Sequence, residues 1–512
     1  MHQQETTISN MPQKEAIATP ESKNSQKQIL KSTGILGFSQ VIIILIGMIR
    51  VKALAVLLGP VGVGVAGLYQ NTVDLIRAAT GLGLRGSAVR DIAASAATGD
   101  QQEISATVKV LRSWVWFTGL AGMAVTLIFC RPLSQWAFGS TDYAWGIAVL
   151  SVTILITSVS EGQNALLQGL RQIKAMAKAK VGAAFIGLIG AVAIYWIWGM
   201  KGIVPALIFV ALTALGWNWY YARKIQTVPV AMKPKEIFVQ GKSMAMLGFY
   251  LSITGIASTG MMYVVRAFVV QQGGLASVGH FVAAWSISFM YLSAIFGAMA
   301  GDYYPRLGAV QHDHRQMSRL VNEQTEIAML LTAPIIITMI TFIEMVVRIF
   351  YSKDFGPTAG ILDWQLLGDF FKVIAWPMGF ILLAKGKGRL YLFTELSWHV
   401  TYLSCVYFLW PYMGITATGF SFLVAYILSS VIMFLLARKL IGFRFSRLTW
   451  QYTALFLPLL LAAFLCQRFL DKPYNLLAGG CVSLIAITFS FYRLKHILPV
   501  SKILNKIGMK KK

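Results

Sequence analysis

Long apolar stretches, separated by short polar connections, occupy nearly the whole chain from residue 33 onward. A helix needs about 20 mainly apolar residues to cross the ~30 Å hydrocarbon core of a membrane. The pattern therefore predicts an all-α membrane protein with about fourteen transmembrane helices. The predicted spans are 33–57, 62–95, 111–130, 143–167, 180–199, 203–221, 244–270, 276–299, 325–350, 361–384, 390–410, 414–437, 451–467 and 475–492.

Two of these spans contain residues that interrupt regular helices. The longest span, 62–95, contains Gly81, Gly83 and Gly86, which predict a bend where another backbone packs closely. The span 361–384 contains Pro377, which predicts a kink because proline cannot donate a helical hydrogen bond.

Composition supports a membrane protein and orients it. Of the 512 residues 56% are hydrophobic and 13% charged, with a mean hydropathy of +0.64, whereas soluble domains have about 25% charged residues. With the N-terminus inside, 33 of the 45 Lys and Arg fall in cytoplasmic segments and six in outward loops. This is the bias of the positive-inside rule. The net charge of +25 is therefore mainly a topology signal rather than a sign of nucleic-acid binding.

A repeat divides the chain into two lobes. The sequence Gly-Val-Gly-Val at 62–65 has a counterpart, Ser-Val-Gly-His, at 277–280. Two residues whose numbers differ by 215, as 62 and 277 do, are called equivalent positions of the repeat below. Parallel repeats that meet at a central binding site are a transporter architecture.

This repeat predicts the order of the parts of the chain. We expect a disordered cytoplasmic tail, an N-lobe with helices 1–6, a cytoplasmic linker, a C-lobe with helices 7–12, an extra pair of helices 13–14 and a basic cytoplasmic tail. Their predicted bounds are 1–30, 31–225, 226–243, 244–440, 441–496 and 497–512.

Six basic residues lie inside or at the edges of predicted spans: Arg50, Lys52, Arg77, Arg85, Arg266 and Lys372. Each would cost roughly 2.5–3.5 kcal/mol facing lipid, so they must face a polar interior, a partner charge or a ligand. Lys and Arg both bind phosphate oxygens well, which favours an anionic cargo. The alternative is ion pairing between helices, because Asp74 and Asp369 each stand three residues before a base.

Three carboxylates in the spans, Asp74, Glu161 and Asp369, are candidate proton or cation sites for coupling transport to a gradient, or structural partners of the bases. Trp376, Trp398 and Trp410 could stack on sugar rings, although tryptophan at a span end is commonly an interface anchor. No residues with catalytic or metal-ligand spacing occur, so no catalytic site, metal or cofactor is expected.

Two stretches resemble Wzx-type polysaccharide flippases of the multidrug/oligosaccharidyl-lipid/polysaccharide (MOP) exporter superfamily, in particular the O-antigen and enterobacterial common antigen translocases. They are residues 52–64 (KALAVLLGPVGVG) and 364–373 (WQLLGDFFKV), the second continuing through Ala384-Lys385 to Glu395. Weaker similarity covers about residues 30–440. Lys52, Arg266, Asp369 and Lys372 match by position, whereas Arg50, Arg77 and Arg85 do not match the common antigen translocases.

The resemblance implies two six-helix lobes, like those of multidrug and toxin extrusion (MATE) transporters, around a cavity lined by helices 1, 2, 4, 7, 8 and 10. All six bases would then lie on cavity helices, whereas Glu344 and Glu395 would lie away from the cavity. The extra helices 13–14 depart from the twelve-helix pattern. Their apolar surface suits a lipid tail, and the alternative is a peripheral hairpin that serves only stability.

The implied function is transfer of an undecaprenyl-pyrophosphate-linked oligosaccharide, such as an O-antigen repeat unit, from the cytoplasmic to the periplasmic leaflet of the bacterial inner membrane. Such a protein is not an enzyme. Its partners would be the lipid-linked oligosaccharide and the bilayer, with a polysaccharide polymerase and a chain-length regulator as further candidates. The alternatives are a lipid II-type flippase for cell-wall synthesis, a MATE-type multidrug exporter and a membrane glycosyltransferase.

Overall fold

The protein is all-helical in a computed structural model, which describes the backbone of residues 20–497 and the side chains of 37–495 apart from 247, 250 and 251. The predicted basic tail and most of the predicted N-terminal tail lie outside the described residues. The helices are α1 (Pro20–Thr80), α2 (Leu84–Thr98), α3 (Gln101–Ile128), α4 (Cys130–Phe138), α5 (Ala144–Gly169), α6 (Ile173–Trp198), α7 (Ile203–Ala222), α8 (Pro234–Ala309), α9 (His314–Thr341), α10 (Ile343–Phe350), α11 (Gly356–Ala384), α12 (Gly388–Met413), α13 (Thr416–Ile441), α14 (Arg447–Phe469) and α15 (Tyr474–Ile497).

Ten helices within the described part of the chain are long and apolar enough to cross a membrane. Three of them, at Gly37–Thr80, Ile173–Ala222 and Ser252–Ala309, have 44, 50 and 58 residues. At about 20 residues per crossing each is long enough to cross twice. An all-α, multi-pass architecture is thus confirmed, while the count of fourteen spans stays a prediction.

The helix ends correct several sequence-based bounds. The span predicted at 62–95 ends at Thr80, and α2 follows after a break at which Leu82 and Gly83 have positive φ angles of 48° and 59°. The predicted span 325–350 is two helices, α9 and α10. By contrast, α11 continues past Pro377 to Ala384. The non-helical connection between the lobes is shorter than the predicted linker, because α8 already begins at Pro234, where the backbone N–H of Lys233 donates to Glu236 Oε2 at 3.1 Å.

The repeat is also visible in the backbone, at three pairs of equivalent positions. The long helix α1 breaks at Gly59 (φ 64°), and α8 breaks at the equivalent Gly274 (φ 75°). The same shift in numbering relates Arg171 to Gly386 and Gly199 to Gly414, all with positive φ. Without a Cβ, glycine adopts such angles at little steric cost. The N-lobe (α1–α7) and the C-lobe (α8–α13) are therefore built on one plan.

The lobes touch through glycine at the end of the molecule where α1 and α8 break, here called the Gly59–Gly274 end. A Cβ added at Gly64 would lie 2.2 Å from the carbonyl oxygen of Leu275, and one added at Gly279 would lie 1.9 Å from that of Pro60. Gly64 and Gly279 are themselves equivalent positions of the repeat, so this contact is reciprocal. Each lobe thus packs the same turn against its counterpart.

Two side chains strengthen this contact between the lobes by hydrogen bonds. Lys52 Nζ, on α1, donates to the carbonyl oxygens of Arg348 (3.1 Å) and Ile349 (2.6 Å) at the end of α10. The Tyr263 hydroxyl, on α8, donates to the carbonyl oxygen of Leu133 on α4 at 3.0 Å. In each case the first segment of one lobe binds the short helix of the other.

The C-terminal pair α14–α15 packs on α9, on the flank of the C-lobe. The Thr341 hydroxyl donates to the Gly479 carbonyl oxygen at 3.2 Å, and Asn322 Nδ2 donates to the Arg444 carbonyl oxygen at 3.0 Å. Glu344 forms an ion pair with Lys472. The remaining surface of the pair exposes apolar side chains, including Leu461, Leu484 and Phe491.

We predict that Gly279→Ala destabilises the protein by on the order of 1–3 kcal/mol, because the new methyl group overpacks a backbone contact. The matched control is Gly297→Ala in the same segment of α8, where nothing lies within 4 Å of an added Cβ. Scanning fluorimetry of detergent-solubilised protein should show a lower melting temperature for Gly279→Ala only. Equal melting temperatures for the two variants would contradict the close contact.

Candidate functional site

A cavity of about 1080 Å³ lies between the two lobes, beyond the Gly59–Gly274 contact. Its lining on the N-lobe runs from Gln70 and Asp74 on α1 to Arg85 on α2, and α3 and α5 complete that wall. On the C-lobe, both segments of α8, together with α11, α12 and α13, line it. The cavity exceeds the usual range of roughly 300–1,000 Å³ of small-molecule pockets and is large enough for an extended polar ligand.

This set of helices differs from the one that the family resemblance implies. The segment of α1 before Gly59, which is predicted span 1, contributes no lining residue, whereas α3, α12 and α13 (predicted spans 3, 11 and 12) do. Glu395 on α12 was expected to lie away from the cavity, and that expectation is wrong: it lines the cavity with Thr394 and His399. Glu344, bound to Lys472, does lie elsewhere.

Four of the six predicted basic residues line the cavity and two do not. The four are Arg77, Arg85, Arg266 and Lys372. Lys52 binds backbone carbonyls of α10, and half-buried Arg50 is also absent from the lining. Both precede the break at Gly59, so they lie on the segment that contributes nothing to the cavity.

Arg77 is neutralised by carboxylates. Its Nη2 donates to Asp74 Oδ1 at 3.0 Å and its Nη1 to Glu161 Oε1 at 2.5 Å. Gln70 Nε2 in turn donates to Asp74 Oδ2 at 3.2 Å. The predicted local pair Asp74–Arg77 is confirmed, and Glu161 on α5 joins it. Two of the three coupling candidates therefore share one arginine.

Arg266 and Arg85 have no carboxylate at salt-bridge distance within the described residues. Arg266 Nη1 donates to the Gly67 carbonyl oxygen at 2.7 Å, and its Nε is buried with no hydrogen-bond partner. Arg85 is exposed to the cavity and forms no side-chain hydrogen bond in the part of the chain whose side chains are described. A partly buried guanidinium whose buried Nε has no partner is costly, so Arg266 is well suited to receive an anion.

Arg266 and Arg85 lie at different distances from the Gly59–Gly274 end of the molecule. Arg266 binds α1 at Gly67, one turn from the contact at Gly64, whereas Arg85 follows the end of α1 at Thr80. The helical stretch from Gly67 to Thr80 rises by about 20 Å at ~1.5 Å per residue. A single compact anion therefore cannot bind both arginines at once, and the cavity offers cationic groups at two levels.

Lys372 and Asp369 lie on the same helix but do not pair directly. Asp369 is fully buried, and its Oδ2 accepts from the Ser288 hydroxyl (2.8 Å) and the Tyr291 hydroxyl (2.6 Å), leaving Oδ1 without a partner. Lys372 Nζ instead lies 5.7 Å and 5.3 Å from the ring centroids of Phe422 and Tyr426. The predicted local contact between Asp369 and Lys372 is thus absent from the salt bridges of the described residues.

Aromatic side chains form much of the C-lobe wall. Of the three tryptophans that the sequence suggested for sugar stacking, one lines the cavity. Trp398 lines the cavity, whereas Trp376 stacks on Phe296 and Trp410 packs against Phe268, both away from it. The wall also contains three aromatic residues that were not singled out from the sequence, namely Trp285, Phe289 and Tyr426. The repeat would have identified Trp285 and Phe289, because they are equivalent to Gln70 and Asp74.

Among residues 37–495, no group of three His, Cys, Asp or Glu side chains is placed to hold a metal ion. What the cavity offers is recognition: two guanidinium groups without carboxylate partners, an ammonium group on an aromatic surface, three carboxylates and several aromatic rings. Such an arrangement binds and orients a ligand that has both charge and polar hydroxyl or amide groups.

Comparison with known proteins agrees with this architecture. Among the curated relatives that match at low identity are a lipid III flippase of Escherichia coli K12 (22% identical, covering 74% of this chain and 91% of the relative) and a candidate O-antigen transporter of Shigella flexneri (23%, 73% and 90%). Among the solved structures that share the fold are two transporters. They are an inward-facing MATE-family multidrug transporter of the MOP superfamily (TM-score 0.66, 16% identical, 78% of this chain and 94% of that one) and the lipid II flippase MurJ in an inward closed conformation (0.65, 14%, 91% and 99%).

The lipid II flippase structure covers more of this chain than the MATE-family structure does, 91% against 78%. A family model described as "Polysaccharide biosynthesis protein" matches residues 53–359, which is more than half of the chain. By this match the chain belongs to the polysaccharide biosynthesis protein family.

Proposed function

We propose that this protein is a flippase that moves an undecaprenyl-pyrophosphate-linked oligosaccharide, an O-antigen or related surface-glycan unit, across the bacterial inner membrane. The observation that carries the proposal is the cavity between the lobes, in which Arg266, Arg85 and Lys372 have no direct carboxylate partner among the described side chains. The names of the relatives and the family description support the same cargo. No covalent step is required, so the protein acts as a transporter rather than an enzyme.

The geometry suits movement of a polar head past the membrane core. With both termini in the cytoplasm, as the loop charges predict, the Gly59–Gly274 end faces the periplasm and is sealed by the lobe contact. The cavity then receives the head group from the cytoplasmic side while the prenyl chain stays in lipid. Separation of the lobes at the sealed end would release the cargo outward. A polysaccharide polymerase and a chain-length regulator are the partners that would act on it next.

Within this proposal, Arg266 and Lys372 are the residues that bind pyrophosphate, with Arg85 as a site nearer the cytoplasm. Arg77 has its charge balanced by two carboxylates and contributes less to anion binding. Lys52 serves a different purpose, because its ammonium group is already bonded to α10.

A multidrug exporter is the second candidate, since the MATE-family structure has a similar TM-score and the cavity contains Asp74, Glu161 and Glu395. A cationic drug would need free carboxylates, however, and two of these three already bind Arg77. Cells lacking the protein would gain sensitivity to cationic drugs if this candidate were correct.

We predict that Arg266→Gln and Lys372→Gln each reduce surface-glycan display at least tenfold, because both remove charge that compensates pyrophosphate. Arg266→Lys and Lys372→Arg should retain more display than the neutral variants. Immunoblots of surface polysaccharide measure display, and an epitope tag verifies equal membrane expression. Arg131→Gln, outside the cavity lining, is the control. Normal display in a well-expressed double variant would refute this assignment.

A second prediction concerns coupling of transport to an ion gradient. Asp369 has an unpartnered buried oxygen that can take up a proton or cation, whereas Asp74 and Glu161 are held by Arg77. We expect flipping in proteoliposomes to respond to an imposed pH or sodium gradient, and Asp369→Asn to abolish that response. Glu161→Gln should still respond. An Asp369→Asn variant that responds like the wild type would exclude this residue as the coupling site.

A further inference from the structure

The two walls of the cavity have opposite chemistry at equivalent positions of the repeat. Gln70 and Asp74 line the cavity from α1, and their equivalents Trp285 and Phe289 line it from α8. The fold therefore points the same two positions of each lobe into the cavity. In the N-lobe these positions are polar, and in the C-lobe they are aromatic.

The polar wall consists of Gln70, Asp74, Arg77 and Glu161, which are joined by hydrogen bonds and can accept further ones. Gln70 donates to Asp74, and Arg77 joins Asp74 to Glu161. The side chains of Asp74, Arg77 and Glu161 are about one-third exposed, at 33%, 30% and 35%. Because an ionised carboxylate has about four acceptor positions, Asp74 and Glu161 can still accept hydrogen bonds from a ligand.

The aromatic wall centres on Phe289, which is 57% exposed and makes no ring contact with any other described residue. Its neighbours on the wall are held in place by other rings. Trp398 packs against Tyr426 with ring centroids 5.1 Å apart and stacks on Tyr402 at 5.2 Å. Trp285 packs edge-on against a phenylalanine ring of α13 at 5.6 Å. Phe289, by contrast, presents an unoccupied face.

We infer that sugar rings of the cargo bind between these walls, with one ring stacked on Phe289 and its hydroxyl groups directed to Asp74 and Glu161. This inference rests on the proposed function and assigns its saccharide site. A pyranose has C–H-rich faces that pack on an aromatic ring and hydroxyl edges that need hydrogen-bond partners. The two walls meet both needs at once.

A prenyl chain fits the same space poorly. Hydrocarbon against Phe289 would also cover Asp74, Arg77 and Glu161, and removing charged groups from water without new hydrogen bonds is costly. A saccharide replaces the lost water with its own hydroxyl groups. Pyrophosphate, in turn, is attracted to Arg266 and Lys372, so different side chains of the same cavity bind the sugar and the phosphate.

The test compares binding of two ligands to the purified full-length protein in detergent: the lipid-linked oligosaccharide extracted from the source cells and undecaprenyl pyrophosphate without sugar. We expect Phe289→Ala to bind the glycosylated lipid at least tenfold more weakly and the unglycosylated lipid within twofold of the wild type. Phe289→Tyr, which keeps the ring, should bind both within threefold. Phe185→Ala is the control, since Phe185 is 55% exposed but lies outside the cavity lining.

The other outcomes separate the two levels of the proposal. If the wild type binds neither lipid, the proposed function itself fails. If the wild type binds both and Phe289→Ala weakens both equally, the aromatic wall holds the prenyl chain and the saccharide assignment is overturned. Unchanged binding of the glycosylated lipid by Phe289→Ala overturns it as well.

Discussion

Backbone contact between two equivalent glycines organises this molecule. Gly64 and Gly279 allow the turns of the two lobes to approach until a carbonyl oxygen occupies the place of a Cβ. Because packing this close needs small residues, the contact can form only where the repeat supplies glycine on both sides. It closes one end of the molecule, and the hydrogen bonds of Lys52 and Tyr263 add to it. The cavity extends from this contact to a second close approach of the lobes, where a Cβ added at Gly248 would lie 2.3 Å from the carbonyl oxygen of Leu82.

The cost of burying charge explains which basic residues are paired. Arg77 lies in the cavity wall and binds two carboxylates, and Lys52 lies in a helical segment and binds two carbonyl oxygens at a helix end. A cation at a helix C-terminus also interacts favourably with the helix dipole. Arg266 and Arg85 lack carboxylate partners among the described residues and line the cavity, where water or an anionic ligand can solvate them. The basic residues that bind protein carboxylates or carbonyl oxygens are therefore structural, and those that lack carboxylate partners and line the cavity are the candidates for ligand binding.

A symmetric plan has produced an asymmetric cavity. The repeat sets the backbone of both lobes, but the residue types at equivalent positions have diverged. Glu395 and Lys180 illustrate this divergence, because they occupy equivalent positions and carry opposite charge. A cavity with charged groups on both walls and aromatic rings on the C-lobe wall is suited to an amphipathic cargo, whereas two identical walls would favour a symmetric one.

The sequence by itself determined the all-helical membrane architecture, the two-lobe repeat, the break near Gly81–Gly83 and the Asp74–Arg77 pair. These depend on local properties: the length of apolar runs, glycine conformation and side chains one turn apart. Only the tertiary structure decided that Lys52 binds α10, that Glu395 enters the cavity and that Phe289 lines the same cavity as Asp74. In a membrane protein both lipid-facing and core-facing surfaces are apolar, so the hydropathy pattern does not reveal which side of a helix faces the cavity. The orientation of each helix about its own axis is set by packing against neighbouring helices.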